Sequence, residues 1–161
     1  MPTPTKILKA YKTAERLPLG RQLFSQVFRW AAPYFRTIPA SIESAEPGRV
    51  VVTMRDRFRV HNHLGTVHAI ALCNLAELAM GLTAEVTVPP THRWIPKGMT
   101  VEYTAKARGT MRAETRLELP ANLDAKQELP VDITVTDPKG QVVFTAVIRI
   151  WVTPKAKSQE H

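Results

Sequence analysis

The sequence predicts one α+β domain, an antiparallel sheet wrapped round a central buried helix, with an extra N-terminal helix. Three observations carry this. Residues 67–82 place Ala, Leu and other apolar side chains on nearly every helical face, the pattern of a helix buried on most sides. After Val88-Pro89-Pro90 the apolar period becomes two, as in half-buried strands. No βαβ alternation and no Gly-rich phosphate loop occurs, so a parallel sheet has no support.

Taken in order, residues 1–16 form an N-terminal extension with Lys6, Lys9 and Lys12 and no following apolar run, which argues against a signal peptide. From Leu17 to Tyr34 the residues Leu19, Leu23, Val27, Trp30 and Ala31 recur at threes and fours, a core-facing helical stripe that Pro33 ends. Segments 37–44 and 49–55 read as strands of an opening hairpin about Glu46-Pro47-Gly48. A loop with His61 and His63 leads to the apolar helix, which Thr66 would cap. Strands are expected over 99–107, 110–119, 131–136 and 142–152, joined as a meander. In the last, Phe144, Ala146, Ile148 and Ile150 share one face. The domain thus spans 17–153, and the polar tail 154–161 is expected to fray.

A chain of 161 residues with 44% apolar content suits a single globular domain. Cys73 is the only cysteine, so no disulfide framework exists, and no apolar run reaches the roughly 18 residues of a membrane span. A cytoplasmic protein with no membrane partner is expected. The formal charge of +8 is scattered along the chain and not interleaved with stacking aromatics, which argues against nucleic acid. A small polyanion, such as a phosphorylated cofactor, would need only one cluster.

Glu77 is the sharpest anomaly, a carboxylate between Leu75-Ala76 and Leu78-Ala79. Burial would raise its pKa and make it a general base; alternatively it faces solvent or pairs with an arginine at the helix edge. Asn74, three residues earlier, shares its face and would either orient it or satisfy it. The helix start supplies unpaired N–H groups able to polarise a carbonyl, or is simply capped. His68 and Glu77 lie nine residues apart, about 13.5 Å of rise and near half a turn out of phase. If both ends of the helix serve one substrate, a two-fold dimer must bring the second from another copy.

Other chemistries have less to stand on. His61, His63 and His68 could chelate zinc if the loop were extended. Cys73 is mid-helix among apolar neighbours, where a cysteine is a nucleophile or small core filling. No serine lies in a nucleophile elbow.

Asn62-His63-Leu64-Gly65-Thr66-Val67-His68-Ala69, followed by Leu75-Ala76-Glu77-Leu78-Ala79, resembles the Asn-x-x-x-x-x-His-Gly-Gly and Leu-Ala-Asp pattern of hotdog-fold acyl-CoA thioesterases of the phenylacetate-pathway type. It also resembles a branch of that superfamily carrying a domain of unknown function, over roughly residues 20–153. The resemblance implies a hotdog fold and thioester hydrolysis, with Asn62 and the Ala69 backbone N–H polarising the carbonyl. It further implies that Glu77 of the partner subunit acts as base or nucleophile, with His68 holding the loop. Ala69-Ile70 stand where that family has two glycines, Glu77 where it has aspartate, and Thr100 is the nearest hydroxyl to the position of its water-positioning Ser or Thr.

Under this reading no resident cofactor or metal is required, and coenzyme A enters as part of the substrate. Arg93, Lys97, Lys106 and Arg108 flank the strand after the helix and are candidates for its phosphates; each also reads as a solvated strand edge. A homodimer or dimer of dimers is implied. Rival readings are a non-catalytic acyl-CoA or lipid-binding protein of the same fold, and a zinc hydrolase built on the three histidines.

Overall fold

The computed structural model describes residues 4–155. Within the expected N-terminal extension, 1–16, the structure places helix α1 (Lys6–Glu15). Thr5 caps it by accepting from Leu8 N–H at 3.1 Å, and Leu8 and Tyr11, three apart, turn into the core. That cap followed by Ile7, Leu8 and Tyr11 was the available signal.

Helix α2 (Gly20–Ala31) starts after Leu19 in the left-handed conformation, φ 58°. A Cβ on Gly20 would lie 1.9 Å from Ala14 O, so the close approach of α1 and α2 requires glycine there. The expected burial of the α2 stripe is not observed: Leu19, Leu23, Val27 and Trp30 are 74, 67, 60 and 62% exposed. The apolar arc of this helix is wide, and its other edge docks instead. Phe24 meets Tyr11 edge-on at 5.3 Å and stacks on Phe28 at 6.2 Å, while buried Ser25 accepts from Ile42 N–H at 2.9 Å. A 3₁₀ turn (Pro33–Thr37) follows.

Six strands among the described residues form one antiparallel sheet: β1 (Ala40–Glu46), β2 (Arg49–Met54), β3 (His92–Tyr103), β4 (Met111–Arg116), β5 (Gln127–Thr136) and β6 (Val142–Pro154). Their order is β1-β2-β4-β5-β6-β3. The expected four-strand meander is therefore a three-strand one. β3 crosses to the far edge and pairs with β6 from His92↔Pro154 to Tyr103↔Phe144, with an irregularity at Pro96/Gly98. It can do so because β2 pairs with β4, from Val51↔Glu114 to Met54↔Met111, and leaves β6 as the open neighbour. Pro154 belongs to β6, and Lys155 N–H reaches Thr91 O at 2.8 Å; the rest of the expected tail, 156–161, lies outside the described residues.

Helix α3 (Ala69–Thr87) runs through the concave face of the sheet, five residues beyond the expected end. Leu72, Leu75, Leu78, Met80, Leu82 and Val86 are buried against Val50, Val52, Met111, Ile133, Phe144, Ile148 and Ile150 of the strands. By length and composition α3 could cross a membrane, but 67% of that window is buried inside the fold. The alternation in β6 is as expected, with Phe144, Ala146, Ile148 and Ile150 facing α3.

Candidate active site at the start and open face of the central helix

The loop before α3 is organised by Asn62. Its Oδ1 accepts from Leu64 N–H (2.9 Å) and Thr66 N–H (3.2 Å), and its Nδ2 donates to Thr66 Oγ1 (2.9 Å). Gly65, at φ 67°, makes the turn. Val67 N–H reaches Ala107 O and His68 N–H reaches Val60 O, which ties the loop to both flanking segments. One Nδ2 proton of Asn62 remains for another acceptor.

The cap of α3 is His68, in place of the expected Thr66, which is buried in the loop. His68 Nδ1 accepts from Ile70 N–H at 3.0 Å, and Ala71 and Leu72 N–H converge on His68 O. The Ala69 N–H takes no part in these bonds and lies at the positive end of a 19-residue helix. A carbonyl oxygen gaining negative charge is stabilised there.

Glu77 is not buried. It is exposed, on the wall of an apolar groove of about 360 Å³ whose other walls include Ile7, Phe28, Phe35, Met80 and Trp94. Both N-terminal helices and β3 contribute to that groove. Glu77 and Ala69 are eight residues apart on α3, about 12 Å along its axis, so one chain does not bring the carboxylate to its own helix start.

The remaining candidates separate. His61 pairs with Asp56, whose other oxygen accepts from Gly109 N–H at 2.7 Å. Burial pushes the Asp56 carboxyl up, but the His61 bond, the Gly109 amide and Arg108 outweigh it, and the net shift is downward. His63 and His68 are exposed, and among the described residues no group of three or more His, Cys, Asp or Glu side chains is placed to hold a metal ion. The three-histidine arrangement is therefore not assembled. Cys73 Sγ lies 3.2 Å from Tyr103 Oη; that hydrogen bond, then burial, pushes the phenol up to about 12. Arg93, Lys97, Lys106 and Arg108 are all exposed but do not converge. Arg93 is at the start of β3, and Lys106 and Arg108 follow its end; ten residues at ~3.3 Å each separate Arg93 from Tyr103, roughly 30 Å. Thr100 is exposed on β3. Asn74, by contrast, is buried beside the 3₁₀ turn and bonded to Thr37.

The description "Domain of unknown function (DUF4442)" matches residues 20–152. The chain belongs to the DUF4442 family. Among solved structures this DUF4442 chain is similar to the genomics target APC5556, at 38% identity and TM-score 0.78 over 92% of this chain and 98% of that one. It is similar to PA5026 of Pseudomonas aeruginosa, described as a "Protein of Unknown Function" and "Probable Thioesterase", at 26% identity and TM-score 0.75, covering 86% of this chain and 97% of that one. Thioesterase HI1161 of Haemophilus influenzae shares the fold at 12% identity and TM-score 0.71, covering 87% of this chain and 94% of that one. No curated protein matches. The DUF4442 chain thus has the hotdog fold expected from its sequence, with α1 and α2 packed beside the open face of its central helix.

Proposed function

We propose that the protein hydrolyses acyl-CoA thioesters as a cytoplasmic homodimer or dimer of dimers. The observation that carries this is Glu77, a carboxylate standing, with Glu85, in the wall of a predominantly apolar groove that is large enough for an acyl chain. Support also comes from PA5026, similar to this chain at 26% identity and described as a "Probable Thioesterase". In this reading the Ala69 N–H and the Asn62 amide of one protomer polarise the thioester carbonyl. Glu77 of the partner subunit takes a proton from water, and the water oxygen adds to the carbonyl carbon. The C–S bond then breaks, and the coenzyme A thiolate takes up the proton. Direct attack by the Glu77 carboxylate is the variant of the same arrangement.

The test is Glu77→Gln, which keeps shape and removes the base. Turnover of an acyl-CoA panel should fall about 100-fold or more, with the melting temperature unchanged because the side chain is exposed. Wild-type turnover in folded Glu77→Gln protein would remove Glu77 from the chemistry. Binding of acyl-CoA without any turnover by the native chain would favour the non-catalytic reading.

A further inference from the structure

Helix α2 keeps its most regular apolar stripe in solvent: Leu19, Leu23, Val27 and Trp30, continued by Tyr34, are each more than half exposed. At ~100° per residue, Leu23, Val27 and Trp30 fall within about 60° of arc. Ser25, which accepts from Ile42 N–H of β1, lies almost opposite the centre of that arc, so the stripe faces away from the sheet. The groove beside Glu77 takes Phe28 and Ala31 from this helix, not the stripe. Neither the core nor the proposed site therefore accounts for it, and a contiguous apolar ridge in solvent marks a surface for a partner.

The charges around the stripe say which partner. No Asp or Glu occurs between Glu15 and Glu43, a stretch holding Arg16, Arg21, Arg29 and Arg36. Among the described residues no carboxylate pairs with any of these four. Arg21 donates to Glu43 O, and Arg29 to Phe35 O and Arg36 O, bonds that leave their charges uncompensated. Arg16 and Arg36 are exposed, one before the stripe and one after it. The Arg36 guanidinium lies over the Trp30 ring at 3.8 Å, on the stripe itself. Lys6 and Lys9 are exposed on α1, which packs beside α2.

We propose that α2 docks the protein on an anionic lipid surface through Leu19, Leu23, Val27 and Trp30. The apolar side chains enter the boundary of the acyl chains, and the flanking cations meet the headgroups. A fluid surface accepts such a ridge without a preformed groove. A second copy is a poor occupant, because two-fold pairing of this face sets the same uncompensated cations against each other. From Leu19 to Trp30 the ridge runs about 16 Å, enough to lie in the interface and far short of a span. The expectation of no membrane partner rests on the lack of a spanning run, and a helix lying on the surface needs none. The proposal does not depend on the thioesterase reading.

The test is flotation of the full chain with vesicles of phosphatidylcholine alone, or with about one-third phosphatidylglycerol added. The native chain should float with the anionic vesicles, and more weakly at high salt. Leu23→Gln combined with Val27→Gln should weaken that binding about tenfold or more, and Arg16→Gln combined with Arg36→Gln by about as much. All four positions are exposed, so the melting temperatures should stay native. Insertion is read separately, from quenching of tryptophan fluorescence by lipids brominated on their acyl chains. Trp30→Phe should remove most of the quenching seen with the native chain, although Trp94 and Trp151 remain. A native chain that floats with neither kind of vesicle overturns the proposal, and self-association lost in the Leu23→Gln, Val27→Gln protein then assigns the face to a second copy. Vesicle binding that this double variant leaves unchanged overturns it as well, because charge alone would then hold the protein there. Quenching that survives in Trp30→Phe has the same force, since another face would be the one inserted.

Discussion

Glu114 is held down to about 2 by hydrogen bonds from Arg49 Nε at 2.6 Å and Arg112 Nη1 at 2.8 Å, which outweigh its partial burial. Its folded-state value lies below the ordinary 4.5, so its stabilisation is complete above about pH 4.5 and is lost as pH falls toward 2. Glu114→Gln should flatten the acid side of stability across that window, read as urea midpoints against pH. The change should be small, because the side chain is about one-third exposed. Asn62 is legible in the sequence only as a motif position; its three bonds within residues 62–66 appear once the loop closes. Asn62→Ala should lower stability by about 1–3 kcal/mol and turnover with it, since the loop carries the start of α3. An unchanged melting temperature would mean that the loop is held without it.

Among the elements, α2 shows why periodicity names apolar residues without naming the side that docks. Leu19, Leu23, Val27 and Trp30 form the regular stripe, but Phe24 and Phe28 lie at its edge, and Tyr11 of α1 offers them an aromatic partner. That partner lies outside the segment whose period defines the stripe. The docking of the two helices turns on Gly20. Gly20→Ala would drive a methyl into Ala14 O, and backbone cannot yield as a side chain does. A loss of about 1–3 kcal/mol is expected, measured by thermal or urea unfolding, and native stability in this variant would show that the α1–α2 junction is looser than its geometry. β3 is the matching case among strands: the expected strand over 99–107 shares only 99–103 with the observed His92–Tyr103, and nothing local says that its neighbour is β6.

At the scale of the whole molecule, Glu77 and the Ala69 N–H stand about 12 Å apart along one helix, so the proposed site needs two chains. Neither Asn62→Ala nor Glu77→Ala homodimers should retain an intact site. In their heterodimer one site collects both defects and the other collects none. Equal mixing with subunit exchange yields half heterodimers, so about a quarter of native activity should return if the sites act independently. Proven exchange without recovery would place both residues in one site of one chain.

Composition and spacing by themselves determined the single α+β domain, the buried helix from its Ala and Leu residues, the hairpin from Glu46-Pro47-Gly48, and the inward face of β6 from its alternation. These are short-range properties, fixed by backbone periods of 3.6 and 2 and by turn chemistry. The motif also marked Asn62, His68, Ala69 and Glu77 as the residues to watch. Only the tertiary structure decided that β3 lies at the far edge, that α2 docks by its aromatic edge, and that His68 caps α3. It also decided that Glu77 opens into an apolar groove while Asn74 keeps an unpaired oxygen. The His68 cap is a local bond to Ile70 N–H, but the others depend on partners well outside the segment, such as Tyr11 for Phe24, Thr37 for Asn74 or Phe144 for Tyr103, and the period of a segment carries no record of what it will meet.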